Sequence, residues 1–145
     1  FFIFYYLLNR EIVKKFTILL YAAVVTTLIA GSLHINKFID TISSGEHISN
    51  PDVLFLIGGI AQVFWIVPII RQWGKIWYSI GIAGTAVFML LWVITRIPEN
   101  PITGKAGPIS AEAIIVQVFQ IAFIILSGII LVKSTKAENT RIKAT

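Results

Sequence analysis

Apolar residues along this chain come in four long runs separated by short polar punctuation, and the runs set the architecture. A helix crosses the hydrocarbon core with roughly 20 residues rising 1.5 Å each. Four stretches meet that length: FTILLYAAVVTTLIAGSL (16–33), PDVLFLIGGIAQVFWIVPII (51–70), IWYSIGIAGTAVFMLLWVIT (76–95) and AEAIIVQVFQIAFIILSGIILV (111–132). Asn50 is the expected cap of the second run, with Pro51 at the first helical position, where its missing donor costs nothing. Pro68 should kink or end that helix one turn from its close. Ser110 should cap the fourth run, with Glu112 in its first turn where the helix dipole favours an anion. The pattern therefore predicts an all-α integral membrane four-helix bundle in a single domain, 1–145, with loops 34–50 and 96–110 on one side and a basic tail, 133–145, on the other.

The leading FFIFYYLLNREIVKK does not fit the same template, because its eight apolar residues cannot span. Two readings stand: an interfacial helix with its aromatic body in the headgroup layer, or the remnant of a first helix extending upstream, since the chain begins with Phe1.

Composition agrees with the bilayer. The chain is 57% hydrophobic and only 13% charged, with mean hydropathy +0.85, against the quarter or so charged in soluble domains. Its net charge of +5 does not point to nucleic acid, because the basic residues cluster at the ends of apolar runs and not on one face. Arg10, Lys14, Lys15, Arg71, Lys75, Lys133, Lys136, Arg141 and Lys143 share one side, and only Lys37, Arg96 and Lys105 the other. The positive-inside rule then places both termini in the cytoplasm, in the cell membrane, with Trp73, Trp77 and Tyr78 at the inner headgroup level and Trp92 near the outer one. With no Cys, thiolate metal sites and disulfides are excluded.

Candidate chemistry gathers on the side away from the termini. HINKFIDTISSGEH holds both histidines, and imidazole with carboxylate suits Cu, Zn or non-haem Fe, so His34, Glu46 and His47 are the candidate metal ligands. Their spacing matches no established motif, and the plainer reading is a polar connector in which His34 ends the first helix. Arg96 either snorkels to phosphate or closes the bundle by pairing with Glu112 or Glu46. Within the spans, Gln62 should bond to the Gln117 and Gln120 face of the fourth helix. The small-residue ridges Ala22, Thr26, Ala30 and Ala23, Thr27, Gly31 offer close seats for other helices, in this chain or another.

His34, the Glu46 and His47 pair, GGIAQ (58–62), the Thr95 and Arg96 pair and GPIS (107–110) together resemble a family of small four-span membrane proteins in bacteria and archaea whose role is not settled, over about residues 16–132. The resemblance implies the same topology and directs attention to the outer His and Glu residues; family members often carry an acid where this chain has Gln120. The Ile- and Lys-rich composition is also similar to that of small extra subunits of archaeal copper membrane monooxygenases such as ammonia monooxygenase.

No catalytic or cofactor motif appears: no HExxH, no phosphate-cradling glycine loop, no usable Ser, His and Asp arrangement. The leading expectation is a non-catalytic accessory subunit of a larger membrane complex, in contact with lipid and with other membrane chains. A metal-binding or metal-delivery protein is the alternative, and a small-molecule transporter a remote one, since the only strongly polar groups at depth are glutamines.

Overall fold

The computed structural model describes the backbone of residues 2–142 and side chains over 13–135. Five helices follow in chain order: α1 (Phe2–Ser43), α2 (Asn50–Phe64), α3 (Ile66–Ile70), α4 (Lys75–Ile94) and α5 (Ala111–Ile142). No strand occurs among the described residues. Four helical segments, Val13–Ser43, Asn50–Ile70, Lys75–Ile94 and Ala111–Thr135, are long and apolar enough to cross a membrane.

Two boundaries differ from the sequence expectation. The first helix does not end at His34 but runs on through INKFIDTIS to Ser43, so most of the expected loop 34–50 is helix and the true connector is short. Hydropathy falls at Lys37 and Asp40, but a helix needs only its own i to i−4 bonds to continue beyond the apolar run. A packed face also holds it: the Thr41 hydroxyl donates to Asp52 Oδ1 at 3.3 Å. At the other end the α1 backbone is helical from Phe2, so residues 2–15 and the first apolar run belong to one continuous helix. α5 likewise extends past Val132 to Ile142, making the start of the basic tail helical.

Ser49, not Asn50, caps α2. Asp52, three residues on and buried, accepts the Ser49 N–H at 2.8 Å and the Ser49 hydroxyl, so one carboxylate fastens the start of α2 to the end of α1. The break between α2 and α3 falls at Trp65, close to the carbonyl that Pro68, lacking an N–H, cannot bond. Ser110 caps α5 as expected, its hydroxyl accepting the Ala113 N–H at 3.1 Å.

The helices are arranged so that α1 packs on α2 and on α5, and α5 packs on α4. The fourth edge, between α2 and α4, has little backbone contact. At the end nearer the termini the core is filled by Leu20, Ala23, Val24, Ile69, Tyr78, Phe123 and Ile130. Tyr78 is 4% exposed and belongs to this core. Beside it Trp73 meets Trp77 edge-to-face and Trp65 lies tilted against Trp77, with the Trp65 indole N–H donating to the Trp77 carbonyl at 3.1 Å.

A histidine and arginine cavity at the loop end

At the opposite end, where α1 and α4 finish and α2 and α5 begin, the loose edge opens into a cavity of about 370 Å³. α1 contributes Leu33, His34 and Lys37, and α2 contributes Pro51, Leu54 and Phe55. Phe88, Leu91 and Trp92 of α4 face Val116 and Gln117 of α5. Thr95, Arg96, Lys105 and Glu112 form the polar mouth.

His34 occupies the cavity wall, half-buried. Its ring stacks on Phe55 at 5.5 Å between centroids with 20° between planes. The amide nitrogen of Gln120, a residue 1% exposed, donates to His34 Nε2 at 3.2 Å. That bond makes Nε2 an acceptor and places the proton of the neutral ring on Nδ1. The expected bond between Gln62 and Gln120 is therefore not the one that forms. Gln120 reaches α1 instead, and Gln62 holds α1 through its backbone, whose carbonyl accepts the Thr27 hydroxyl at 2.8 Å. The side-chain oxygens of Gln62 and Gln120 are buried without a partner.

Glu46 and His47 do not share this site. Both are exposed on the short connector after α1, where His47 Nδ1 lies 2.8 Å from the Ile48 carbonyl oxygen. Among the described residues no three His, Asp or Glu side chains gather closely enough to hold a metal ion. The helical continuation of α1 is the reason, because it carries the chain away from His34 before the connector begins. Copper or zinc bound by His34, Glu46 and His47 thus has no assembled ligand set behind it.

Arg96 is positioned by a folded loop. Asn100, 4% exposed, organises residues 97–105: its amide donates to the carbonyls of Ile97 and Lys105 at 2.9 and 3.0 Å. Its carbonyl oxygen accepts the N–H groups of Ile102 and Thr103 and the Thr103 hydroxyl. The loop then returns to α4, where the Gly107 N–H donates to the Thr95 carbonyl at 2.8 Å. Here Arg96 Nη1 donates to Thr95 Oγ1 at 2.8 Å, and its guanidinium carbon lies 4.9 Å from the centre of the Trp92 ring. Neither Glu112 nor Glu46 pairs with it, so of the two readings for Arg96 the bundle-closing ion pair does not form. Desolvation by burial holds its pKa below the ordinary arginine value, while the group stays charged at neutral pH.

Sequence reasoning found His34, Arg96, Glu112 and Gln117 but missed the aromatic wall of Phe55, Phe88 and Trp92. Those residues lie within uniformly apolar runs, which carry no mark of which face turns inward. No protein-family description, curated protein or solved structure matches the chain.

Proposed function

We propose that this chain is a four-span integral membrane protein, both termini in the cytoplasm, that binds a small amphiphile in the cavity at its loop end without turning it over. The observation that carries this reading is the cavity itself: about 370 Å³, walled by Phe55, Phe88, Leu91 and Val116, with a minority of polar lining groups that include His34, Lys37, Gln117 and those of the mouth. That division of apolar wall and few convergent polar groups is what small-molecule sites share, and the volume lies within their range. Binding is favoured over catalysis because the one imidazole in the wall is held by an amide, not by a carboxylate or hydroxyl that would build a proton relay.

Native mass spectrometry of the purified protein tests it. Wild-type protein should carry a co-purifying small molecule, and Leu91→Trp, which places an indole in the cavity, should lose it. Equal retention by both proteins, or none by either, defeats the reading.

A second reading, the accessory subunit of a larger membrane assembly, draws on α4. This helix is the least covered of the four candidate spans, and Gly84 on its exposed side has open space beside it. The ridge along α1, by contrast, is already used inside the chain: Ala23, Thr27, Ala30 and Gly31 are buried. Migration of the native protein alone at its own mass would remove the subunit reading.

A further inference from the structure

The mouth of the cavity has spare donors and few spare acceptors. Trp92 and Arg96 lie one turn apart at the end of α4, and both line the cavity. The Trp92 indole N–H and Arg96 Nε are buried and have no partner. A buried donor left unpaired keeps its desolvation cost, and a charged one keeps more.

The acceptors nearby are occupied. Leu91 and Val93 carbonyls take the N–H groups of Thr95 and Arg96, the Trp92 carbonyl takes the Thr95 hydroxyl, and the Ile94 and Thr95 carbonyls take the N–H groups of Ile97 and Gly107. The negative end of the α4 dipole is thereby covered by its own chain. α2 and α5 meanwhile begin at the cavity; Asp52 in the first turn of α2 offsets that positive end and attracts Lys37, and among the lining residues Lys37, Arg96 and Lys105 stand against the single carboxylate of Glu112.

We propose that the cavity takes an amphiphile with an oxyanion head, a carboxylate or a phosphate. The Arg96 guanidinium holds the head, Lys37 and Lys105 supply long-range attraction, and the apolar chain lies against Phe55, Phe88 and Leu91. This inference rests on the amphiphile-binding reading above and adds the charge of the ligand to it. The arrangement accounts together for the uncompensated guanidinium and the apolar wall. An uncharged amphiphile would account only for the last.

Wild-type protein in detergent micelles is titrated with a fluorescent long-chain fatty acid and with its methyl ester, and the acid is competed with a monoalkyl phosphate and with inorganic phosphate. The acid should bind about tenfold or more tighter than the ester, since a charge-assisted hydrogen bond is lost in the ester. The alkyl phosphate should compete and inorganic phosphate should not. Arg96→Gln should abolish the preference for acid over ester, and Arg96→Lys should keep part of it. Lys105→Gln, a change on the exposed loop, should weaken the acid by about threefold and leave the ester unchanged. That variant keeps the question open to measurement if Arg96→Gln does not fold.

Equal affinity for acid and ester in the wild type overturns the oxyanion inference and leaves amphiphile binding standing. Absence of binding by every probe overturns both. Competition by inorganic phosphate as strong as that of the alkyl phosphate would show a head group recognised without a chain, which overturns the amphiphile reading and the proposal that rests on it.

Discussion

The two seams that α2 makes are built on opposite principles. Against α1 it presents Gly59 to Gly31, and the backbones come so close that an added Cβ on Gly31 would stand 2.9 Å from the Gly59 carbonyl oxygen. Thr27 completes this seam by donating to the Gln62 carbonyl. Against α4 the α2–α3 segment sets aromatic rings over glycines: Phe88 of α4 lies on Gly58, and Trp65 lies on Gly81 of α4. Small residues facing small residues close a seam, whereas a ring seated on a glycine holds the helices one ring's thickness apart. The loop-end cavity lies at the end of the second kind of seam, with Phe88 in its wall. One helix thus supplies both a backbone-to-backbone contact and the edge at which the bundle opens.

The tight seam should be the least forgiving of added volume. A methyl on Gly59 would stand 2.7 Å from Ile35 Cγ1, 2.9 Å from the Gly31 carbonyl oxygen and 3.1 Å from the Ile35 amide nitrogen. Two of those three neighbours are backbone atoms of α1, which can give way only if the helix moves. Gly59→Ala should lose about 2 kcal/mol, an overpacking cost of up to ~3 less the ~1 gained in helix propensity. Unfolding in mixed micelles measures it. A variant as stable as wild type would mean that the α1 and α2 backbones are not in contact.

The propped seam should yield more easily because its obstacle is a side chain. At Gly81→Ala the new methyl overlaps the Trp65 indole ring, which must tilt and so strain the hydrogen bond to the Trp77 carbonyl. A loss of about 1 kcal/mol is expected, together with a shift in tryptophan emission as Trp65 moves against Trp77. Should Gly81→Ala prove costlier than Gly59→Ala, the contrast between the two seams is reversed and the rings, not the glycine pair, set the spacing of the bundle.

How much of this could be read beforehand follows from the same contrast. The four helices long and apolar enough to cross a membrane were legible because hydropathy is a property of single residues summed along a run, and so was the Ser110 cap. The extension of α1 past His34 was not. Ile35, Phe38, Ile39 and Ile42 keep apolar positions coming at helical intervals, but Lys37 and Asp40 between them break the hydropathy run that marks a span. Missing that extension is what placed His34 in a loop with Glu46 and His47. Which glutamine meets which partner was also closed to sequence reading, since the relative rotation of α1, α2 and α5 depends on packed volumes on every face. Gln120 turned to His34 and left Gln62 to the backbone bond from Thr27. The cavity combines both difficulties: its polar rim carries charges that stand out in a sequence, and its aromatic wall is indistinguishable there from lipid-facing residues.

The smallest effect is expected where neither kind of seam exists. Gly84 lies on α4, and a Cβ added there meets nothing within 4 Å, so Gly84→Ala should gain a few tenths of a kcal/mol from helix propensity, with no packing cost to offset it. Gly84→Leu should likewise leave the isolated protein within about 0.5 kcal/mol of wild type. Comparing that variant in isolation and in its native membrane separates lipid from protein as the neighbour of α4. A helix seated on Gly84 would be pushed away by the leucine, and the native mass of any assembly would fall to that of the single chain. Lipid tails would accommodate the leucine, and the native mass would not change. If instead Gly84→Leu destabilises the isolated chain, α4 packs differently on the bundle, and the exposed face ascribed to it belongs to another side of the helix.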